Sequence, residues 1–195
     1  MDTPHVSGRV VDYEQAVTAA ARLFAATSAL DMDDLARQLA VSRATLYRVV
    51  GSRDRLLGDV LWRAGRRITD RAWARAQGRG AERILSAAEE FNASLVANEP
   101  LRGLLRKDPA TAFRVLFMPE AGVHRRMVEH WLRLFAEIRA EDGFTHPLSD
   151  AELAYVFVRL GESIIYADLL GGLDPNVALA ARVQRAVLLG VEQPA

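Results

Sequence analysis

The 195-residue sequence contains no cysteine and a single lysine, and its acidic and basic residues balance to a formal net charge of zero. The absence of cysteine excludes disulfide bonds and thiolate metal sites. A zero net charge argues against nonspecific nucleic-acid binding through overall charge. Apolar runs fall short of the roughly 20 residues that a membrane-spanning helix needs, and the first residues lack the cationic and apolar order of a signal peptide. We therefore expect a cytoplasmic protein with no membrane partner.

Half of the residues are hydrophobic and about a quarter are charged, as in an ordinary globular protein. Apolar residues recur at helical spacing along almost the whole chain, and no strand pattern stands out. The sequence therefore predicts an all-α fold. Among the predicted helices, one covers residues 81–98, one covers residues 150–172, and the last is opened by Asp174 and Pro175.

The most informative segment is residues 31–50, which read as two short helices joined by a tight turn. The first helix has an apolar stripe made of Met32, Leu35, Ala36 and Leu39. Asp31 is its predicted N-cap, and Ser42 is the predicted N-cap of the second helix. On the second helix Leu46 and either Val49 or Val50 point inward, which leaves polar and cationic side chains outside. Such an outer edge is suited to contacts with DNA phosphates and base edges.

From about residue 13 to residue 61 the chain resembles the DNA-binding domain of the TetR family of bacterial transcriptional regulators. The family motif is matched without gaps at Ala36, Val41, Ser42, Thr45, Leu46, Tyr47, Arg53 and Leu56. The chain departs from it at three positions, where Ala40 replaces the usual turn glycine, Val50 the usual aromatic residue and Arg53 the usual lysine. Alanine fits that turn at some strain if its φ angle is positive, and arginine keeps the positive charge. Residues 101–116 and 159–174 are similar to a subgroup of these regulators named for QsdR and linked to lactone breakdown.

The resemblance implies an N-terminal three-helix DNA-binding domain with a helix-turn-helix, followed by a larger helical domain for effector binding and dimerisation. We place the first domain at residues 1–58, with residues 1–11 as a flexible arm, and the second at residues 59–195. The predicted DNA-binding residues are Ser42, Arg43, Ala44, Thr45, Tyr47, Arg48 and Arg53. Tyr47 is expected to donate its hydroxyl group to a phosphate, and Arg43 or Thr45 to reach bases. Arg53 is expected to meet a phosphate at a helix N-terminus.

The last two predicted helices are unusually apolar and contain small residues that permit close helix approach. They are either buried within one chain or form a two-fold four-helix interface with two helices from each subunit. A dimer that reads two half-sites overcomes the weak binding of a lone helix-turn-helix module, and the resemblance implies the same dimer. We therefore favour a homodimer. The predicted interface residues are Leu153, Val156, Leu160, Ile164, Val183 and Val187.

The resemblance to the TetR family also implies a small molecule held between helices of the second domain, in a mostly apolar pocket with a few polar groups. The candidate effector-binding residues are Trp62, Phe91, Phe113, Phe117, His124, Trp131, Phe157, Glu162 and Tyr166. Each aromatic residue taken alone is also accounted for by core packing. Glu162 and Asp168 interrupt an apolar helix, and a carboxylate there needs a partner, such as Arg159, an effector, a second subunit or water.

The sequence as a whole predicts a ligand-responsive transcriptional regulator, a repressor that a mostly apolar small molecule releases from a palindromic operator in double-stranded DNA. His124 and His130 do not share a helix face well, so neither a metal site nor another cofactor is expected. No catalytic motif supports an enzyme. Two rival interpretations remain: a DNA-binding regulator without a small-molecule ligand, and a helical adaptor or enzyme that uses the module for packing.

Overall fold

The computed structural model describes residues 11–190, and within this range the chain forms eleven α-helices and no β-strand. The predicted all-α fold is confirmed. The predicted arm lies outside the described residues except for Val11, which is buried in the core instead of being part of a flexible segment. Within the described range, no helix combines the length and the hydropathy that crossing a membrane requires.

Three short helices and the start of a fourth form the N-terminal module. These are α1 (Tyr13–Thr27), α2 (Met32–Leu39), α3 (Arg43–Val50) and α4 (Arg53–Arg75). Each of the four begins at a residue whose side chain accepts a hydrogen bond from the first turn, and the predicted caps Asp31 and Ser42 are confirmed. Leu35, Leu46 and Val50 are fully buried and join the helices into one small core. Burial of Val50 resolves the alternative between Val49 and Val50.

The remaining helices build a C-terminal body around the second half of α4. They are α5 (Ala81–Val96), α6 (Glu99–Lys107), α7 (Pro109–Phe117), α8 (Val123–Asp142), α9 (Asp150–Ile165), α10 (Ala167–Gly171) and α11 (Val177–Leu189). The aromatic side chains of Trp131, Phe135 and Phe157 pack edge-to-face or tilted at the centre of this body. Helix α4 therefore contributes to both the module and the body.

Glycines let α4 approach the body closely. A Cβ atom on Gly58 would lie 2.9 Å from both the Cβ and the carbonyl oxygen of Ala121, and one on Gly65 would lie 3.0 Å from the terminal methyl group of Met127. A larger residue at Gly58 would meet backbone, which cannot move aside as a flexible side chain can. These contacts fix the position of α4 against the turn before α8 and against α8 itself.

Three predicted helix boundaries are wrong. The helix expected over residues 150–172 ends at Ile165, and the short α10 follows. The last helix is capped by Asn176, whose side chain accepts from the Leu179 amide, and not by Asp174. The helix expected to reach residue 98 ends at Val96, because the Asn98 side chain caps α6 instead.

Candidate DNA-binding helix and effector cavity

Helix α3 lies on the surface of the module, and its two ends are fixed by local geometry. Ala40, the last residue before the turn, adopts the left-handed conformation with φ of 56°, as the turn requires. The Ser42 hydroxyl oxygen accepts from the Thr45 amide at 3.1 Å, and the Ser42 hydroxyl donates to Thr45 Oγ1 at 2.9 Å. Leu46, on the inner face of α3, is fully buried. The outer edge of the helix is thus held open to solvent in one orientation.

Cationic and hydroxyl side chains occupy this outer edge. Ser42, Arg43, Ala44 and Arg48 are exposed, and Thr45 and Tyr47 are partly buried. Arg43 Nη1 donates to Asp33 Oδ2 at 2.6 Å, and its guanidinium lies 5.4 Å from the centre of the Tyr47 ring. The hydrogen bond to Asp33 raises the pKa of Arg43. An exposed ion pair of this kind adds little stability, so Arg43 can exchange Asp33 for a phosphate.

Arg53 differs from the other predicted DNA-binding residues because its guanidinium faces the body. Its Nε atom donates to the Leu30 carbonyl at 2.8 Å, and Nη1 donates to Thr111 Oγ1 on α7 at 3.4 Å. Next to it, Arg114 on α7 donates from Nε to Asp54 Oδ2 at 3.1 Å. These contacts join the start of α4 to α7. The prediction that Arg53 binds a DNA phosphate did not include this structural role.

The body encloses a cavity of about 40 Å³ between α5, α7, α8, α9 and α11. Its walls are mostly apolar and aromatic, and they carry four polar side chains. The lining residues are Phe91, Asn92, Leu95, Leu116, Val123, Met127, Trp131, Phe157, Val158, Gly161, Glu162, Ile165, Tyr166 and Gln184. Since one water needs about 10–15 Å³, the cavity has room for only a few waters. We call it the internal cavity.

Five of the nine predicted effector-binding residues line the internal cavity, namely Phe91, Trp131, Phe157, Glu162 and Tyr166. The other four lie elsewhere. Trp62 faces an open surface groove between α1 and α4, where its ring contacts that of His130. Phe117 stacks edge-to-face on Tyr166 from outside, and Phe113 packs against Phe117 near the surface. His124 binds the outer side of Glu162.

Glu162 and Asp168, the two carboxylates on the apolar C-terminal segment, both have partners within the chain. Glu162 Oε2 lies 2.9 Å from His124 Nδ1 and 3.3 Å from Arg159 Nη1, so the predicted pairing with Arg159 is found. Asp168 lies 3.3 Å from Nη1 of the buried Arg102, whose Nη2 donates to the Ile165 carbonyl at 3.0 Å. Burial raises the pKa of the neighbouring Tyr166, and the negative charge of Glu162 adds to this effect.

Asn92 and Gln184 line the internal cavity but were not among the predicted site residues. Asn92 Nδ2 donates to Gln184 Oε1 at 3.1 Å, which joins α5 to α11 through a buried amide pair. Both residues lie at helical spacing within apolar stripes, Asn92 between Ala88 and Leu95, and Gln184 between Ala180 and Leu188. A polar residue at a core position of a stripe is the sequence signal that could have identified them.

The residues predicted to form the subunit interface lie on α9 and α11. Val156, Leu160, Ile164, Val183 and Val187 remain partly exposed in the single chain. Leu153 is fully buried in the chain's own core, so its side chain is not available to a second subunit and this residue is withdrawn from the predicted interface. Tyr155 on α9 and Leu179 and Leu189 on α11 are exposed and extend the apolar surface.

Comparison with known proteins shows which families and solved structures this chain is similar to. Residues 79–189 match the family model described as Tetracyclin repressor-like, C-terminal domain. The R. erythropolis transcriptional repressor QsdR, of the TetR family, is 32% identical, with a TM-score of 0.84 over 93% of this chain and 96% of that chain. FadR from Bacillus subtilis, solved in complex with stearoyl-CoA, is 12% identical, with a TM-score of 0.56 over 93% of this chain and all of its own. FadR from Bacillus halodurans is 14% identical, with a TM-score of 0.56 over 95% and 99% of the two chains. No curated protein sequence matches the chain.

An exposed helix-turn-helix on a helical body with an internal cavity is the architecture of ligand-responsive transcriptional regulators that bind DNA. The family match over more than half of the chain and the similarity to QsdR make the assignment more specific. The chain belongs to the TetR family of transcriptional regulators. This assignment confirms the predicted family and the predicted similarity to the QsdR subgroup. It also confirms the predicted function of the family, that of a ligand-responsive DNA-binding repressor. The two FadR structures share the fold with this chain.

Proposed function

We propose that the protein is a homodimer that binds a palindromic operator through α3 of each subunit. Release would follow when a small, mostly apolar molecule occupies the internal cavity. The observation that carries this proposal is that α7 lines the cavity and contacts the module, and that α4 packs directly behind one cavity residue. Helix α7 contributes Leu116 to the cavity wall, and Thr111 and Arg114 to the contacts with the start of α4. Helix α4 rests through Gly65 against Met127, which is itself a cavity residue.

The small size of the cavity indicates how a bound ligand would affect the module. A molecule larger than a few waters can enter only if the walls move apart. Outward movement of Met127 or Leu116 displaces α4 or α7, and these helices set the orientation of the module. An effector then shifts the population towards a state in which the two α3 helices no longer match adjacent major grooves.

The proposed DNA contacts are those of Ser42, Arg43, Ala44, Thr45, Tyr47 and Arg48, with Arg53 assigned to the contact between module and body. We expect DNA selected from a random duplex library to contain a palindrome with half-sites about 10 base pairs apart, and affinity to fall steeply with salt. Arg48→Ala should weaken binding roughly tenfold, whereas Arg125→Ala on the exposed face of α8 should leave it unchanged. Selection of no common sequence would contradict the proposal.

The proposed subunit interface lies on the partly exposed side chains of α9 and α11. Ile164→Glu places a charge at the centre of this surface and should convert the dimer to a monomer in analytical ultracentrifugation. Arg71→Glu, a charge change at an exposed position of α4, which supplies none of the proposed interface residues, is the matched control. A sedimentation profile unaltered by Ile164→Glu would contradict the assignment of α9 to the interface.

The near closure of the internal cavity favours one alternative, a regulator that binds DNA without any small-molecule ligand. In that case the cavity is simply an imperfection of core packing. Operator binding that stays unchanged across a broad panel of apolar metabolites, together with unchanged thermal stability, would support this alternative over ligand-driven release.

A further inference from the structure

The buried amide pair of Asn92 and Gln184 has unused hydrogen-bonding capacity at the internal cavity. Each amide offers two N–H donors and one carbonyl acceptor. Within residues 11–190, the pair uses one mutual hydrogen bond, and Gln184 Nε2 makes a long one of 3.4 Å to the Phe157 carbonyl. Asn92 Oδ1 accepts no hydrogen bond from any described residue, and both residues are only 3% exposed. Buried polar groups are normally satisfied, so the pair is suited to a further partner inside the cavity.

Gly161 creates the space in which the Gln184 amide lies. A Cβ atom at this position would come 2.9 Å from Gln184 Nε2, closer than a Cβ atom normally approaches another atom, so the flexible end of Gln184 would have to move. Gly161 is an interior residue of α9, where glycine is unfavourable for helix stability. Gly161 therefore lowers the local stability of α9 at the turn where the Gln184 amide reaches the cavity wall.

The charges around the cavity argue against a charged ligand. Glu162 is the one charged residue among the lining residues of the described chain, and its carboxylate is already bound by His124 and Arg159. An anion would meet Glu162 with no cationic side chain on the wall to receive it. A cation would have to compete with the two existing partners of Glu162. The Tyr166 hydroxyl, which has no hydrogen-bond partner among the described residues, offers a third neutral group.

We propose that the effector is an uncharged amphiphile, whose neutral carbonyl or hydroxyl group binds Asn92 and Gln184 while its apolar part lies against Trp131 and Phe157. This inference rests on the proposed function, because it specifies the ligand of the same cavity. The two amides join α5 to α11, and α11 belongs to the proposed subunit interface. A ligand held by the amides therefore contacts the helix that positions the second subunit.

The test compares molecules that differ in charge and share one chain length: octanamide, octanol, octanoate and octylamine. At neutral pH the first two are uncharged, the third is an anion and the fourth a cation. Isothermal titration calorimetry on the full-length protein without DNA should detect octanamide and octanol, with octanoate and octylamine binding at least about tenfold more weakly. Octanoate or octylamine binding as tightly as octanamide would overturn the proposal, and so would a failure of both neutral molecules to bind.

Variants locate the binding to the amides. Gln184→Leu should weaken octanamide binding about tenfold through loss of hydrogen bonds, and Gly161→Ala should do so by displacing Gln184. Gln77→Leu, which removes an exposed amide at the end of α4, is the matched control. Circular dichroism establishes that each variant is folded. If Gln184→Leu is unfolded, Gly161→Ala and the ligand series still decide the question, and unaltered octanamide binding to a folded Gly161→Ala variant would contradict the role of Gln184.

A separate measurement of operator release distinguishes the two proposals. Octanamide that binds in the calorimeter but leaves the operator complex intact would support the inferred ligand chemistry and contradict ligand-driven release. Operator release by octanoate or octylamine alone would support ligand-driven release and contradict the inferred chemistry.

Discussion

The N-terminal module and the C-terminal body specify their helices in different ways. Every helix that begins in the module starts at a side-chain cap, so its first residue is encoded within a few positions of the sequence. In the body, α6, α7, α9 and α11 also begin at side-chain caps, whereas α5, α8 and α10 begin without a side-chain cap hydrogen bond. Their limits are set by packing against helices that are distant in sequence. Local chemistry therefore sets every helix start in the DNA-binding part, whereas three of the seven described helix starts in the part that holds the cavity depend on tertiary contacts.

The largest expected effect is the loss of an aromatic side chain from the core of the body. Phe135 is fully buried between Phe144 and Phe157. Phe135→Ala should lower the free energy of unfolding by about 3–5 kcal/mol, since it removes buried area and leaves a void. Chemical denaturation followed by circular dichroism measures this. Phe113→Ala, at a side chain that is 38% exposed, is the control and should cost clearly less. Equal losses would show that the body does not depend on its central rings.

The same contrast explains what could be predicted from the sequence. The turn of the helix-turn-helix, its caps and the inward residue Leu46 were all predictable, because spacing and local hydrogen bonding determine them. The end of α9 was not, since Arg102 on α6 supplies the donor to the Ile165 carbonyl where the helix stops. That contact joins positions 63 residues apart. Likewise, aromatic residues could be assigned to the body, but which of them line the internal cavity depends on how seven helices pack.

The junction between the two regions should show the next largest effect. Gly103 on α6 lies so close to the C-terminal end of α1 that a Cβ atom there would be 2.5 Å from the Cβ of Ser28. Gly103→Ala should therefore destabilise the protein by about 1–3 kcal/mol through overpacking. Ser28→Gly should restore most of the loss, because it removes the obstructing side chain and Ser28 already has φ of 59°.

A double-mutant cycle of thermal or chemical unfolding measures this coupling. The two substitutions should interact favourably, so that the double variant is more stable than the sum of the single effects. Strict additivity would show that the module and α6 are not in contact in solution.

Two aspartates that both resemble helix caps test whether local signals act equally in the two regions. Asp31 accepts hydrogen bonds from the amides of Asp33 and Asp34, and Asp31→Ala should cost about 1 kcal/mol. Asp174 precedes Pro175 in the sequence, yet Asn176 provides the cap of α11. Asp174→Ala should therefore leave the unfolding free energy nearly unchanged. A comparable loss in both variants would mean that Asp174 caps a helix after all, and that the body is more locally encoded than its structure indicates.

The smallest expected effect concerns the turn between α2 and α3, where this chain has alanine in place of the glycine typical of the family. Ala40 adopts φ of 56°, which costs a non-glycine residue roughly 1–2 kcal/mol. Glycine relieves that strain, but its greater freedom in the unfolded chain takes back about 0.4–1 kcal/mol. Ala40→Gly should thus stabilise the protein by roughly 1 kcal/mol or less, as measured by chemical denaturation. Ala44→Gly, in the first turn of α3, should instead destabilise it, by up to about 1 kcal/mol. If both substitutions destabilise the protein, the left-handed turn is not strained by alanine, and the departure from the family motif at this position has no energetic cost.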